Sequence, residues 1–282
     1  MSEDIYKCVV GNFQIKDAFD VMDVFFDSGY LSVSTVEEKD HWLVEILDNK
    51  PIDDAAVIAL LGNCKYSTVK SEKIADTDWL KKCFENFKPI TVGNFYIFGP
   101  HLKDKPVPVD KIGIEIAAAT AFGTGEHPTT NRCILACQTF FDEKRHKTAL
   151  DIGTGSGVLS IALAKLGCRR VTACDNDPES VRVSKENTVI NKVAHRVHVF
   201  QNESCEFSKR NYDFIVANIL SEPLISMAKQ VEKCLVKNGI AVLSGFSSQD
   251  RSVRNKYTSL GLTLKYECDF MEWSTIVLEK SN

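Results

Sequence analysis

The first 80 residues alternate between two hydrophobic periods. YKCVVGNF at 6–13 repeats every second residue, as a strand does, and KDAFDVMDVFFDSGY at 16–30 places apolar residues at helical spacing up to Gly29. YLSVSTVEEK and HWLVEIL read as two strands, DDAAVIALLGN as a helix ending at Gly62, and YSTVKSEKI as a last strand. Strand, helix, two strands, helix, strand is the split βαβ order of a small α+β ferredoxin-like domain, assigned to residues 1–78. Residues 79–112 read as linker and lead-in: TDWLKKCFENF has helical spacing, ITVGNFYIFGP is a strand pair over Gly93, and KDKPVPVDK is an extended connection.

From 113 to 282 the pattern is more regular. TALDIGTGSGVLSIALAKLG is a strand, a glycine turn and a helix, and RRVTACDNDPESVRVSKENTVINK repeats the unit. VHVFQ and YDFIVANIL add buried strands, so this part is α/β, a parallel Rossmann-like sheet covered on both faces. GIAVLSGF is a further strand, and LTLKYECDF and WSTIVLEK form a closing antiparallel hairpin that turns at Met271 and Glu272. A dinucleotide dehydrogenase sheet does not usually end that way.

Composition narrows the class. With 282 residues, 44% apolar and 26% charged, the chain is globular and excludes disorder and collagen-like architecture. No stretch reaches the ~18 apolar residues of a membrane span, and MSEDIYKCVV is acidic where a signal peptide is basic. The expectation is a soluble cytoplasmic protein without membrane contact. Its 10 cysteines include no CxxC pair, which suits reduced buried thiols. The net charge of −4 hides an asymmetry: residues 1–80 carry 7 Lys+Arg against 16 Asp+Glu, and the rest 27 against 22. An acidic first segment repels phosphates and favours a basic partner, so no direct nucleic acid binding is expected.

The strongest local signal is Asp151-Ile-Gly153-Thr-Gly155-Ser-Gly157, between a strand and a helix. Glycines there let a ligand approach the backbone N–H groups of a helix start. The spacing is GxGxG and not GxGxxG; a diphosphate needs the longer cradle, and a nucleoside with an amino-acid tail does not. Asp175 ends the next strand, 22 residues after Gly153, where a carboxylate accepts from ribose hydroxyls. Asp177 before Pro178 is a helix cap. Asn218 ends YDFIVAN at the same rim, offering a donor and an acceptor that can hold an amine or a cofactor group, with turn formation as the alternative. AFGTGEHPTT at 121–130 suits a loop over a ligand, with Thr129 or Thr130 alternatively capping the helix that follows. His127 has no second ligand at metal spacing, so no metal is assigned. Cys133 and Cys137 share a helical face and read as core.

AFGTGEHPTT, LDIGTGSGVLSIALAKLG at 150–167, CDNDP at 174–178 and VANIL at 216–220, in that order, resemble the methyltransferases of large-subunit ribosomal protein eleven. WLKKCFENFKPITVGNFYIFGP is similar to that family's lead-in. The resemblance implies a class I methyltransferase fold that uses S-adenosylmethionine, behind a ferredoxin-like domain that recognises the ribosomal substrate. It implies methylation of lysine ε-amino groups and the N-terminal α-amine, with cofactor contacts at Thr130, Gly153, Asp175 and Asn218. Gly155 and Phe122, in the same two motifs, are expected contacts too. The chemistry is displacement by nitrogen on a methyl activated by positive sulfur, so no catalytic acid or base is assigned. The alternatives are another N-methyltransferase, acting on a different protein or a small amine, and a module that binds the cofactor without turnover.

Overall fold

The computed structural model describes residues 5–30, 32–38, 41–74, 88–117, 127–202 and 211–281. The expected helix in TDWLKKCFENF and most of AFGTGEHPTT, Phe122 included, lie outside the described residues. The chain divides into two compact units, Met1–Asn86 and Phe87–Asn282.

The first unit runs β1 (Ile5–Phe13), α1 (Ile15–Asp27), β2 (Ser32–Glu38), β3 (His41–Asp48), α2 (Asp54–Leu61) and β4 (Val69–Ile74). Its strands pair antiparallel in the order β2-β3-β1-β4. This is the ferredoxin-like arrangement that the element order implies. Cys8 and Val10 alternate inward from β1 and meet Ala18, Val21 and Phe25 of α1, spaced three and four apart as one helical face requires. Both helices end where glycine permits positive φ, at Gly29 (82°) and Gly62 (56°).

The second unit begins with a three-stranded sheet, β5 (Ile90–Val92), β6 (Phe95–Phe98) and β7 (Ile112–Glu115). Then come α3 (Pro128–Phe140), β8 (Thr148–Ile152), α4 (Val158–Lys165), β9 (Arg170–Asp175), α5 (Pro178–Ile190) and β10 (Val197–Gln201). The chain continues with β11 (Tyr212–Asn218), α6 (Ser221–Cys234), β12 (Leu235–Ser247), α7 (Ser252–Ser259), β13 (Leu262–Phe270) and β14 (Trp273–Lys280). These strands form a seven-stranded sheet in the order β10-β9-β8-β11-β12-β14-β13. The first five are parallel, and β14 inserts antiparallel between β12 and β13.

The continuous apolar runs reflect burial on both faces. Phe214 and Val216 of β11 enter one core with Ile161 and Ile134, and their neighbours Ile215 and Ala217 enter another with Leu224 and Val231. Among the described residues, no helix is long and apolar enough to cross a membrane.

Candidate functional site

The strand order reverses direction between β8 and β11, and in open α/β sheets such a switch point opens a crevice beyond the strand ends. Register brings the expected residues to that rim. Ile152 pairs with Cys174 on one side and Ala217 on the other, so Gly153, Asp175 and Asn218 each stand one residue beyond the same level.

The glycine turn is held from several directions. The N–H groups of Gly153 and Thr154 both donate to the Cys174 carbonyl, at 2.9 and 3.0 Å. Gly155 N–H donates to Asp175 Oδ2 at 2.8 Å, and Gly157 N–H to the Thr154 carbonyl at 2.8 Å. Gly153 (φ 70°), Gly155 (51°) and Gly157 (83°) all lie in the left-handed region, which L side chains rarely adopt. A Cβ on Gly153 would sit 2.3 Å from Ile219 Cγ2.

Asp151 is fully buried beneath the turn. Its Oδ2 accepts from Thr154 Oγ1 at 2.8 Å and Ser160 Oγ at 2.6 Å, while Oδ1 is buried with no partner among the described residues. Burial raises its pKa to about 6, against the opposing pull of those two hydroxyls. Asp175 is also raised, by burial first, with the Gly155 and Asp177 N–H groups pulling the other way. Its two oxygens already accept backbone bonds, from Gly155 and from Asp177 N–H at 3.1 Å, and each keeps lone-pair capacity for a hydroxyl. Asp177 caps α5 as expected, accepting from Glu179 N–H at 3.1 Å and Ser180 N–H at 2.9 Å.

Across the rim, Asn218 Nδ2 donates to Thr130 Oγ1 at 3.2 Å, joining two expected residues from distant parts of the sequence. That bond fixes the amide orientation and leaves Asn218 Oδ1 buried and unpartnered among the described residues. The capping alternative for Thr129 or Thr130 is corrected: the cap of α3 is His127, whose ring accepts the Thr129 N–H, freeing Thr130 for Asn218. Burial lowers the His127 pKa to about 4, and its ring stands edge-on to Trp273 with centroids 5.1 Å apart. Cys133 and Cys137 are fully buried, with Cys133 pushed up to about 12 by burial, as suits core thiols. No cluster of three or more metal-ligating side chains occurs among the described residues.

Two buried residues of this region carry no sequence motif. Asn187 and Asn191, one helical turn apart, hold the backbone of residues 115–117, and Asn187 also donates to the Ser156 carbonyl. Their signal is a pair of amides spaced i and i+4 at the end of a helix, a pattern equally common on solvated faces.

Taken together the rim and the layer beneath it offer acceptors, the carboxylates of Asp175 and Asp151 and the amide oxygen of Asn218, with the Oδ1 atoms of Asp151 and Asn218 unpartnered among the described residues. A buried acceptor without a partner is costly, so the site asks for a ligand that donates. The residues therefore fit a cationic nucleoside bearing an ammonium group and ribose hydroxyls better than a diphosphate. S-adenosylmethionine has that chemistry.

Comparison with known proteins agrees. The model of the family described as ribosomal protein L11 methyltransferase (PrmA) matches residues 16–281. A ribosomal protein L11 methyltransferase of Caulobacter sp. (strain K31) is 32% identical over 267 residues, covering 94% of this chain and 92% of that protein. One from Rhizobium rhizogenes (strain K84) is 38% identical over 247 residues, 84% of each. The crystal structure of a ribosomal protein L11 methylase from Lactobacillus delbrueckii subsp. bulgaricus superimposes with a TM-score of 0.64 at 25% identity, over 70% of this chain and all of that one. This chain belongs to the ribosomal protein L11 methyltransferase family, the S-adenosylmethionine-dependent class whose sheet and rim it carries.

Proposed function

We propose that the protein transfers methyl groups from S-adenosylmethionine to amine nitrogens of ribosomal protein L11, at lysine ε-amino groups and the N-terminal α-amine. The observation that carries this reading is the acceptor-lined rim at the switch point, in a chain whose match to the family spans both units. When bound, the cofactor supplies a methyl group already activated by a positive sulfur. The chain's own residues bind, orient and exclude water. Gly153 and Gly155 allow close approach of the amino-acid tail, Asp175 accepts from the ribose, and Thr130 with Asn218 closes the other side. Phe122, of the same sequence motif as Thr130, is a further proposed contact.

Asn218 has a second task in this reading. With Nδ2 committed to Thr130, its Oδ1 is the atom that accepts a hydrogen from the substrate amine and aims the nitrogen lone pair. The amine must be neutral to attack, and burial beside a cation lowers its pKa in that direction. His127 is a poor base at a pKa of about 4, which fits a transfer governed by positioning and desolvation. Residues 1–78 serve as the substrate-recognition part, their acidity suited to a Lys-rich protein in the cytoplasm and unsuited to RNA or a membrane surface.

The test is incubation of the purified protein with labelled S-adenosylmethionine and unmodified L11, read by intact mass. Increments of whole methyl groups on L11 are expected. Cofactor binding without any increment would leave a binding module, and transfer to other proteins alone would reassign the substrate.

A further inference from the structure

Asn187 lies on α5, fully buried, with both ends of its carboxamide occupied. Its Oδ1 accepts the Ala117 N–H at 2.8 Å, and its Nδ2 donates to the Ser156 carbonyl, also at 2.8 Å. One turn later, Asn191 Oδ1 accepts the Glu115 N–H at 3.0 Å, and its Nδ2 donates to the Glu115 carbonyl at 2.6 Å. The two amides thus pair with residues 115–117 as a neighbouring strand would. Asn187 alone also reaches the glycine turn.

The chemistry at 187 admits few substitutes. Ala117 presents a donor and Ser156 an acceptor, so the side chain between them must accept at one end and donate at the other. The Ser156 carbonyl belongs to the peptide that joins Ser156 to Gly157, between two glycines in the left-handed region. Glycine gives such a turn wide backbone freedom; the Gly157 N–H of this peptide is held within the turn by the Thr154 carbonyl, and its carbonyl is held from outside by Asn187. α5 provides that contact at two points, because a Cβ on Gly157 would lie 2.6 Å from Ser184 Oγ.

We propose that Asn187 is a positioning residue for the cofactor: by holding the Ser156–Gly157 peptide, it fixes the backbone path of the glycine turn against which the cofactor lies. The inference rests on the reading of that turn as the S-adenosylmethionine site. It separates Asn187 from Asn191, which shares the strand-like clamp but contacts no atom of the turn among the bonds described.

The experiment compares full-length wild type, Asn187→Asp and Asn191→Asp by calorimetric titration with S-adenosylhomocysteine. Asp at 187 retains an acceptor for Ala117, but as a carboxylate it cannot donate to Ser156. Its affinity is expected to fall about tenfold or more, with kcat at saturating cofactor within about threefold of wild type, and with Asn191→Asp retaining its affinity within about threefold. Asn187→Ser, too short to span both partners, carries the same expectation where Asn187→Asp folds poorly. Wild-type affinity in the 187 variants, or an equal loss at 191, would overturn the proposal and reduce Asn187 to a structural clamp. Absence of binding by the wild type would instead overturn the cofactor reading on which it depends.

Discussion

Asp151 carries a charge whose burial two hydroxyl hydrogen bonds offset only in part. Its pKa rises from 3.8 to about 6 on burial, so the unfolded chain gives up this proton first. Rising pH therefore favours unfolding through that interval, and above it the whole penalty, ~3 kcal/mol, is present. Asp151→Asn should unfold at a higher urea midpoint than wild type at pH 7.5, by about 1 kcal/mol after the cost of an unpaired buried amide, with no gain near pH 4. The same variant should bind S-adenosylhomocysteine more weakly, because a buried carboxylate suits an ammonium group and a neutral amide does not. A variant that is no more stable at pH 7.5 would show that the carboxylate is better solvated than its burial implies. Asp175→Ala should lose about tenfold or more in cofactor affinity by titration calorimetry, and unchanged affinity would remove Asp175 from the site. Asp175 and Asn218 are legible in the sequence because a residue that ends a buried apolar run is delivered to the sheet rim. Asn187 is not, since its partners are backbone atoms of residues 117 and 156, and no local pattern encodes a contact across 70 residues.

Among the elements, β12 shows how a strand interior can serve the site. Gly245 has φ 95°, and a Cβ there would lie 2.5 Å from the Ile219 carbonyl oxygen and 2.8 Å from its C and N. Ile219 follows Asn218 and donates its N–H to the Ser244 carbonyl at 3.1 Å, so the end of β11 rests directly on this glycine. Gly261 has nearly the same φ, 92°, with nothing within 4 Å of its Cβ position. Gly261→Ala should therefore cost only the backbone strain, about 1 kcal/mol, whereas Gly245→Ala adds a clash with backbone and should exceed ~3 kcal/mol in urea unfolding. It should also lower methyl transfer at temperatures where it remains folded, by displacing Asn218. Equal costs would mean that the end of β11 yields freely. Period-two and helical spacing made most elements of both units legible, including the hairpin ends at Phe270 and Trp273. The pairing of β6 with β7 was not, because β7 is only four residues long and its partner is separated from it by a proline-rich connection.

At the scale of the molecule, the two units differ in what holds them and in what they carry. Among the described residues, the core of the first is drawn from residues 8 to 61 and the two cores of the second from residues 92 to 278. Every described residue of the rim belongs to the second unit. The charge asymmetry follows the same division, with 17 Asp+Glu against 9 Lys+Arg in residues 1–86. A fragment of residues 87–282 should accordingly fold and bind S-adenosylhomocysteine within about threefold of the whole chain, yet lose about tenfold or more in kcat/KM for L11. Salt distinguishes lost steering from lost shape. If the acidic unit draws in a basic substrate, raising ionic strength from about 0.05 to 0.3 M should increase KM for L11 in the whole chain and change it little in the fragment. A fragment that methylates L11 as well as the whole chain would place recognition on the sheet rim itself, and an equal salt response in both would assign the attraction to the second unit's own charges.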